Sequence, residues 1–241
     1  MKTYHILNGD ALLERFPAEI NGQPLVCREC LIDGPVQGRS LAKFYENRMQ
    51  FLGENYGDED FEFYLGAVIP EFEDMQNVEP GSTVYFWFEA DLFCQVNFWF
   101  CASLMDASSG TQFRLVIPEG EHRYGFSNLK NEELLKTLKE AVKLPSMVMA
   151  LLQQLWKSFK SGDQKTTLSL AGMLELSIPQ LSGLRATLES FYQEGHLELL
   201  KKIIASQSEP TFGAVFREFC LQAPEYGFGD LQVLRLYREL L

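Results

Sequence analysis

The sequence predicts an α/β domain over residues 1–127, with a parallel sheet and a Rossmann-like arrangement of three layers, followed by an all-α domain over residues 128–241. Two observations lead to this fold class. In the first part, short runs rich in β-branched and aromatic residues alternate with runs in which apolar residues recur every three or four positions. In the second part, only the three-to-four-residue spacing continues. Alternating strands and helices are typical of a parallel sheet covered by helices.

Four strands are predicted in the first part, each bounded by turn residues. The first run ends at Gly9, and the second ends at the turn signal of residues 33–35. The third run shows little polar alternation, as expected for a strand that is covered on both faces. The four runs are TYHILNG, QPLVCRECLI, STVYFWFE and TQFRLVIP. Because helix-like runs separate them, we expect parallel strands joined by right-handed crossovers.

Helices are predicted between these strands. DALLERF begins with Asp10 as an N-cap, RSLAKFYENRMQFLGENYG fits a helix that ends near Gly53, and DLFCQVNFWFCASLMDASSG indicates a largely buried helix. Residues 54–79 carry nine acidic and no basic residues, which predicts an exposed acidic helix and loop.

Beyond residue 128 we expect helices and no strand, with the boundary near residues 124–130. The last three helical runs are HLELLKKIIASQ, TFGAVFREFCLQ and GDLQVLRLYRELL, and their lengths and short joins resemble a helix-turn-helix unit. The middle run contains only one basic residue, Arg217, which is too little positive charge for a typical DNA-contacting helix. Packing on the sheet or a protein interface is the preferred interpretation of these helices.

The charge is unevenly distributed along the chain. Residues 1–125 contain 8 Lys and Arg against 20 Asp and Glu, and residues 126–241 contain 13 against 13. Non-specific binding to nucleic acid depends on basic side chains that displace counterions. Nucleic acid is therefore not an expected partner of the first part.

The remaining composition indicates a cytoplasmic protein with reduced thiols. No apolar run reaches the roughly 18–20 residues that span a bilayer, and the first ten residues lack the pattern of a signal peptide. Five cysteines in no framework spacing predict free thiols. Cys27 and Cys30 form a C-x-x-C, but they follow a strand rather than opening a helix, so we interpret them as an incidental or buried pair.

Polar residues follow each of the first three predicted strands. In an open parallel sheet, ligands bind beyond the carboxyl ends of the strands, so these residues predict a site at that edge. Asp10, Glu89 and Asp91 are the candidate catalytic residues. The candidate ligand-binding residues are His5, Asn8, Gly9, Arg28, Glu29 and Gln95.

Each of these residues also has a structural interpretation. Asp10 and Asp91 are good helix N-caps, and His5 lies within its strand, where it would point into the packing of the sheet. Glu89 at the rim of a buried sheet needs a partner. An internal ion pair with Arg28 would supply that partner.

Three blocks of the sequence, HILNGD, CRECLIDGPV and WFEADLFCQVNFWF, resemble the signature blocks of an uncharacterised bacterial family, the domain of unknown function numbered eighteen thirty-five. The likeness covers roughly residues 3–120, and the last helical run resembles the tail of that family. Cys27 departs from the pattern, since the family commonly has tryptophan there. The resemblance implies a shared site and no activity. Its positions are His5, Asn8, Gly9, Asp10, Arg28, Glu29, Gly34, Pro35, Trp87, Glu89, Asp91 and Gln95.

Two functions remain open from the sequence. The first is binding of a small anionic ligand, such as a nucleotide or phosphorylated metabolite, or a hydrolase- or transferase-like reaction on it. Arg28 would then clamp the anion, and the three candidate catalytic acids would hold Mg²⁺ or act as a general base. No Gly-rich phosphate loop is present, so a dinucleotide site is not expected. The second is a regulatory or interaction protein that uses its helical part to bind protein or, as a weaker alternative, DNA.

Overall fold

Five strands form one sheet in the computed structural model, which describes residues 1–57 and 61–241. The strands lie in the order β2-β1-β3-β4-β5, and β1 to β4 are parallel. Asn8 at the end of β1 is in register with Cys27 at the end of β2, and Leu7 is in register with Trp87 at the end of β3. The first three strands therefore end at a common edge, as predicted. The strands are β1 (Thr3–Asn8), β2 (Gln23–Cys27), β3 (Thr83–Trp87), β4 (Gln112–Val116) and β5 (Val142–Leu144).

The fifth strand corrects the prediction that no strand follows residue 128. The first helix after residue 128 ends at Lys139, and Val142–Leu144 pairs antiparallel with β4. Three residues are too few to show a two-residue period, and Pro145 prevents the segment from continuing as strand. The pattern of the sequence alone could not reveal this strand.

Helices account for most of the remaining chain. They are α1 (Asp10–Leu13), α2 (Leu41–Tyr56), α3 (Phe61–Phe63), a π-helical segment (Tyr64–Val68), α4 (Ile69–Gln76), α5 (Leu92–Ser103), α6 (Asn131–Lys139), α7 (Ser146–Ser161), α8 (Gln164–Ser177), α9 (Leu184–Tyr192), α10 (Gly195–Ser206), α11 (Phe212–Gln222) and α12 (Asp230–Leu240). Short 3₁₀ turns span Gly120–His122, Phe126–Asn128, Pro179–Leu181 and Pro224–Tyr226. Within the described ranges, no helix combines the length and the apolar character needed to cross a membrane.

Two predicted helices have different lengths from those observed. The helix expected to end near Gly53 continues to Tyr56, because Gly57 adopts the left-handed conformation (φ 69°) that terminates helices. The helix predicted from DALLERF has only four helical residues, and its N-cap is Gly9 rather than Asp10, whose carboxylate binds Arg28 instead of the helix end. The acidic segment is helical over residues 61–76, and three of its nine acids, residues 58–60, lie outside the described residues.

Apolar side chains cover both faces of the sheet. Successive residues of β1, β3 and β4 alternate between two clusters: one contains Ile6, Phe86 and Leu115, and the other contains Leu7, Trp87 and Val116. The larger cluster continues into the helices of the second half. It includes Leu152, Leu188, Leu200, Val215 and Val233. The architecture is thus α/β with one core shared by both halves, and the division into two domains at residue 127 stays a prediction.

Candidate functional site: a cleft between the strand ends and the last helix

A cleft of about 620 Å³ opens at the edge of the sheet where β1 and β2 end. One wall comes from these strand ends and from the last turn of α2. The opposite wall is the first turn of α12, which returns to the sheet from the far end of the chain. We call this feature the strand-end cleft. Its lining residues are Asn8, Gly9, Asp10, Cys27, Arg28, Glu29, Cys30, Leu52, Tyr56, Gly57, Phe93, Gly229, Asp230, Leu231 and Gln232.

Arg28 and Asp10 form an ion pair in this cleft. Nε of Arg28 donates to both carboxylate oxygens of Asp10, at 3.0 and 2.9 Å, and Nη2 lies 2.8 Å from Oδ1. Nη1 of Arg28 binds a second carboxylate, that of Glu71 on α4, at 3.2 Å. Two carboxylates therefore outnumber the single positive charge of Arg28, and this group of three side chains has a net charge of −1.

The sequence suggested an ion pair between Arg28 and Glu89. The structure instead pairs Arg28 with Asp10 and Glu71. The strand order explains the difference. Glu89 follows β3, and β1 lies between β3 and β2. The carboxylate nearest to the end of β2 is therefore that of Asp10, directly after β1. Strand order is a property of the topology that a single sequence does not contain.

Glu89 and Asp91 instead join Asn8 around the thiol of Cys94. The Asn8 amide donates to Sγ of Cys94 at 2.9 Å, and this thiol donates to Oε2 of Glu89 at 3.0 Å. Asp91 caps α5 by accepting the Cys94 N–H at 2.9 Å. The sequence-predicted group thus divides into Arg28 with Asp10 in the cleft, and Glu89 with Asp91 beside it, and Asn8 belongs to both.

Burial changes the proton affinity of this second group. It raises the pKa of Glu89, which is partly exposed, and it raises the pKa of the Cys94 thiol well above the ordinary range. For Asp91, which is 2% exposed, burial first and the neighbouring charge of Glu89 second raise the pKa to about 7. This cluster therefore retains a proton near neutral pH.

Three possible metal-ligand atoms lie within 4.8 Å of one another: the Cys94 sulfur, one carboxylate oxygen of Glu89 and one of Asp91. Asp10 is not part of that group, so the three acids predicted to bind Mg²⁺ do not form one ligand set among the described residues. The hydrogen bonds inside the cluster already satisfy the thiol and one oxygen of each acid. We therefore interpret the cluster as a group that shares protons.

Glu29 and Arg48 form a fully buried ion pair beneath the cleft. Both side chains are 0% exposed, and Nη2 of Arg48 lies 2.8 Å from Oε2 of Glu29. The hydroxyl of Tyr64 donates to the other oxygen of Glu29 at 2.5 Å. The carboxylate of Glu29, predicted to bind ligand, is thus occupied by protein partners and holds the loop after β2.

His5 lies away from the cleft, on the face of the sheet that carries the smaller apolar cluster. Trp87 donates its indole N–H to Nδ1 at 3.0 Å, so Nε2 bears the proton that is shared with the carbonyl of Asn21 at 3.2 Å. Burial lowers the pKa of His5. The structure gives this histidine a packing role, as the structural interpretation of the sequence suggested.

Gly9 and Gln95 hold the main chain beside these two groups of side chains. Gly9 does so through its main-chain N–H, and Gln95 through its side-chain amide. Gly9 adopts a φ of 83°, which turns the chain away from β1 while its N–H binds the carbonyl of Cys27 at 3.0 Å. Gln95 is buried on α5 and donates to the main-chain oxygen of Glu89 at 2.7 Å. Gly9 lines the cleft, whereas Gln95 does not.

Sequence reasoning missed the side chains that link these strand ends. Asn97 donates to Asn8 at 2.9 Å and to the carbonyl of Glu29 at 2.5 Å, and it accepts the N–H of Leu31 at 3.1 Å. A polar amide inside the apolar run VNFWF was a signal for such a role, because a buried amide needs partners. Glu71 gave no signal among the many acids of its segment.

The wall formed by α12 was also missed. Its N-cap, Gly229, has no side chain to cap the helix, and the main-chain N–H groups of Asp230 and Gln232 have no partner in the described part of the chain. Gln232 is 6% exposed, and its Oε1 has no hydrogen-bond donor. Buried amides are normally paired. The first turn of α12 therefore brings unpaired main-chain N–H groups to the cleft, whereas the unpaired Oε1 of Gln232 is buried.

The cysteine pair shows no feature of a redox site. Both thiols are free, Cys27 is buried, and burial raises the pKa of Cys30 to about 12. A reactive cysteine requires a lowered pKa. These observations support the interpretation as an incidental pair.

No family model, curated protein or solved structure matches this chain in comparisons with known proteins. The family resemblance of the first half accordingly stays a prediction.

Proposed function

We propose that the protein binds a small, hydroxyl-rich molecule with an apolar face, of the class of a sugar or a nucleoside, in the strand-end cleft. The observation that carries this proposal is a cleft of about 620 Å³ in which the first turn of α12, two of whose leading main-chain N–H groups have no partner among the described residues, stands across from the paired Asp10 and Arg28. Ligand pockets of this size commonly combine apolar walls with a few placed polar groups.

The charges of the cleft favour an uncharged ligand over the anion expected from the sequence. Asp10 and Glu71 together exceed the charge of Arg28 by one negative charge, and Asp230 adds a further carboxylate. An anionic ligand would meet repulsion from these acids without a free cation to compensate. Hydroxyl groups, in contrast, donate to carboxylates and accept from guanidinium and amide groups.

The cleft walls suit the apolar face of such a ligand. Leu52, Tyr56 and Phe93 contribute side chains beside the polar groups. The hydroxyl of Tyr56 is occupied by Asp33, which leaves the ring as a contact surface. Sugars and nucleosides present both a hydroxylated edge and an apolar plane, and therefore fit this combination.

The geometry favours binding over catalysis. Asp10 is held by the guanidinium of Arg28, and Glu89 and Asp91 do not line the cleft. The helical second half contributes the opposite wall of the cleft through α12. We propose that this is its role, rather than contact with DNA.

A thermal-shift screen with matched variants tests the proposal. Nucleosides, monosaccharides and disaccharides are added to the wild type, to Asp10→Asn and to Glu14→Gln. Glu14 is exposed nearby and has no partner in the described part of the chain, so its variant changes the net charge equally. A compound at 100 times its Kd stabilises the folded state by about 2.7 kcal/mol. We expect stabilisation of the wild type and Glu14→Gln but not of Asp10→Asn.

The proposal fails if no hydroxyl-rich compound shifts the melting temperature. It also fails if Asp10→Asn responds as strongly as Glu14→Gln, because the ligand would then lie elsewhere.

A further inference from the structure

A second concave surface, of about 970 Å³, lies between the start of α2 and the end of α7. Gln37 bridges its walls, since Nε2 donates to the carbonyl of Lys160 at 3.4 Å and its own carbonyl accepts from Asn47 at 2.9 Å. We call this surface the basic groove. Its lining residues are Gln37, Gly38, Arg39, Lys43, Asn47, Lys157, Lys160 and Ser161.

The charge of the groove is opposite to that of the protein. The chain has a net charge of −12 and only 21 basic residues, of which Arg39, Lys43, Lys157 and Lys160 line this one surface. None of the described residues that line the groove is acidic. Four cations in one groove raise the local concentration of anions.

Most of these cations lack a carboxylate partner. Within the described part of the chain, Lys43 alone of the four forms an ion pair, with Glu46 on α2 at 2.9 Å. Across the described ranges, Arg39, Lys157 and Lys160 have no carboxylate oxygen within ion-pair distance. Nζ of Lys160 lies 6.0 Å from the centre of the Phe44 ring, a contact that leaves its hydrogen-bond donors available. Unlike Arg28, these side chains therefore have no carboxylate to give up when they pair with an external anion.

The position of the cations on the two helices adds a second argument. Lys157 and Lys160 lie near the C-terminal end of α7, where the helix dipole stabilises positive charge. Arg39 and Lys43 flank the N-cap Ser40 at the start of α2, where positive charge is unfavourable, and the first turn contains no acid. An anion bound at this end would remove that repulsion.

We propose that the basic groove binds a phosphorylated small molecule with two or more phosphate groups. The cations stand on both walls, so one phosphate can meet Arg39 and Lys43 while another meets Lys157 and Lys160. The aliphatic stems of these side chains line the remaining surface and can contact an apolar part of the ligand. This site is separate from the strand-end cleft and does not depend on its ligand.

Titration calorimetry with pyrophosphate tests the groove directly. The variant Lys157→Gln/Lys160→Gln removes two charges from one wall. Its matched control is Lys136→Gln/Lys139→Gln, an exposed lysine pair of the same spacing in the last turns of α6. We expect the groove variant to bind pyrophosphate at least tenfold more weakly and the control to stay within twofold of the wild type. The affinity of the wild type should fall as NaCl is raised, because salt screens exposed charges.

Other ligands show which chemical groups the basic groove recognises. Inorganic phosphate should bind more weakly than pyrophosphate, and adenosine should not compete with it. ATP binding more tightly than tripolyphosphate would assign a contact to the nucleoside part. Arg39→Gln provides a second variant, from the α2 wall, for which we expect a severalfold loss.

The proposal is overturned if pyrophosphate does not bind at millimolar concentration, or if both lysine pairs change its affinity equally. It is also overturned if the wild type forms dimers that Lys157→Gln/Lys160→Gln abolishes while pyrophosphate has no effect. The groove would then receive an acidic surface of a second copy.

Discussion

The guanidinium of Arg235 holds the carboxylate of Asp33, although 202 positions separate the two residues in the sequence. Nη2 lies 2.7 Å from each carboxylate oxygen, and the hydroxyl of Tyr56 donates to the same carboxylate. This contact fastens the last helix to the loop after β2 and to α2. It thereby sets the position of the cleft wall that α12 supplies.

Removal of either partner should loosen that wall. Arg235→Met or Asp33→Asn leaves a partly buried partner unpaired, so each should lower the free energy of unfolding by about 2–3 kcal/mol. Urea denaturation measures this loss. The double variant should lose less than the sum of the two, because one interaction is shared. Arg238→Met, at an exposed position of α12, serves as the control. Additive losses would mean that the two residues act independently.

Glu29, which the sequence analysis assigned to ligand binding, forms a buried ion pair with Arg48. Its substitution should therefore lower the free energy of unfolding strongly. Glu29→Gln should cost about 3–5 kcal/mol, because Arg48 would remain buried without its counter-charge. The exposed Glu19→Gln should stay within about 0.5 kcal/mol of the wild type. Chemical denaturation of both variants checks this difference. Equal stability of the two would show that Glu29 is not structural.

Two glycines of one loop should respond differently to alanine. At Gly227, with φ 68°, a Cβ would lie 1.9 Å from Oδ1 of Asp91. Gly229 has φ −74° and no atom within 4 Å of such a Cβ. Gly227→Ala should therefore cost about 2–4 kcal/mol from backbone strain and overpacking. Gly229→Ala should cost less than about 1 kcal/mol. Thermal and urea denaturation decide this, and a tolerated Gly227→Ala would contradict the packing of this loop on Asp91.

The parallel direction of the first four strands could be predicted, whereas their order, the fifth strand and the partners of the site residues could not. Runs such as TYHILNG and STVYFWFE carry a strong strand signal, and their alternation with helices indicates parallel strands whose ends share an edge. The order of those strands depends on tertiary packing. Because β2 lies beside β1, Arg28 pairs with Asp10 instead of Glu89. The return of Gln232 to that edge from the end of the chain depends on contacts such as the one between Arg235 and Asp33. The hydrophobic pattern within a short segment does not indicate which residues it contacts two hundred positions away.

The raised pKa of Asp91 predicts a pH dependence of stability. Its pKa is about 7 in the folded state against an ordinary value of 3.8, so the folded protein binds more protons between these values. The free energy of unfolding should then fall by about 3–4 kcal/mol as the pH rises from about 4 to 7. Asp91→Asn should remove this fall while it retains the helix cap, since asparagine is an equally good N-cap.

Two buried histidines act in the opposite direction. Burial lowers the pKa of His196 to about 4 and also lowers that of His5, so their contribution to stability rises as the pH increases towards 6.5. The measurement is therefore the difference between wild type and Asp91→Asn in urea denaturation from pH 4 to pH 8. The variant should gain stability relative to the wild type across this range. Parallel curves would show that Asp91 is ionised throughout.

The most direct test of the strand-end cleft is amide chemical-shift mapping with the sugar or nucleoside that raises the melting temperature most. We expect saturable shifts that cluster at residues 8–10, 28–30 and 229–232, from both walls at once, and we expect Asp10→Asn to abolish them. Shifts confined to the basic groove, or shifts of one wall without the other, would contradict a ligand held between the strand ends and the last helix.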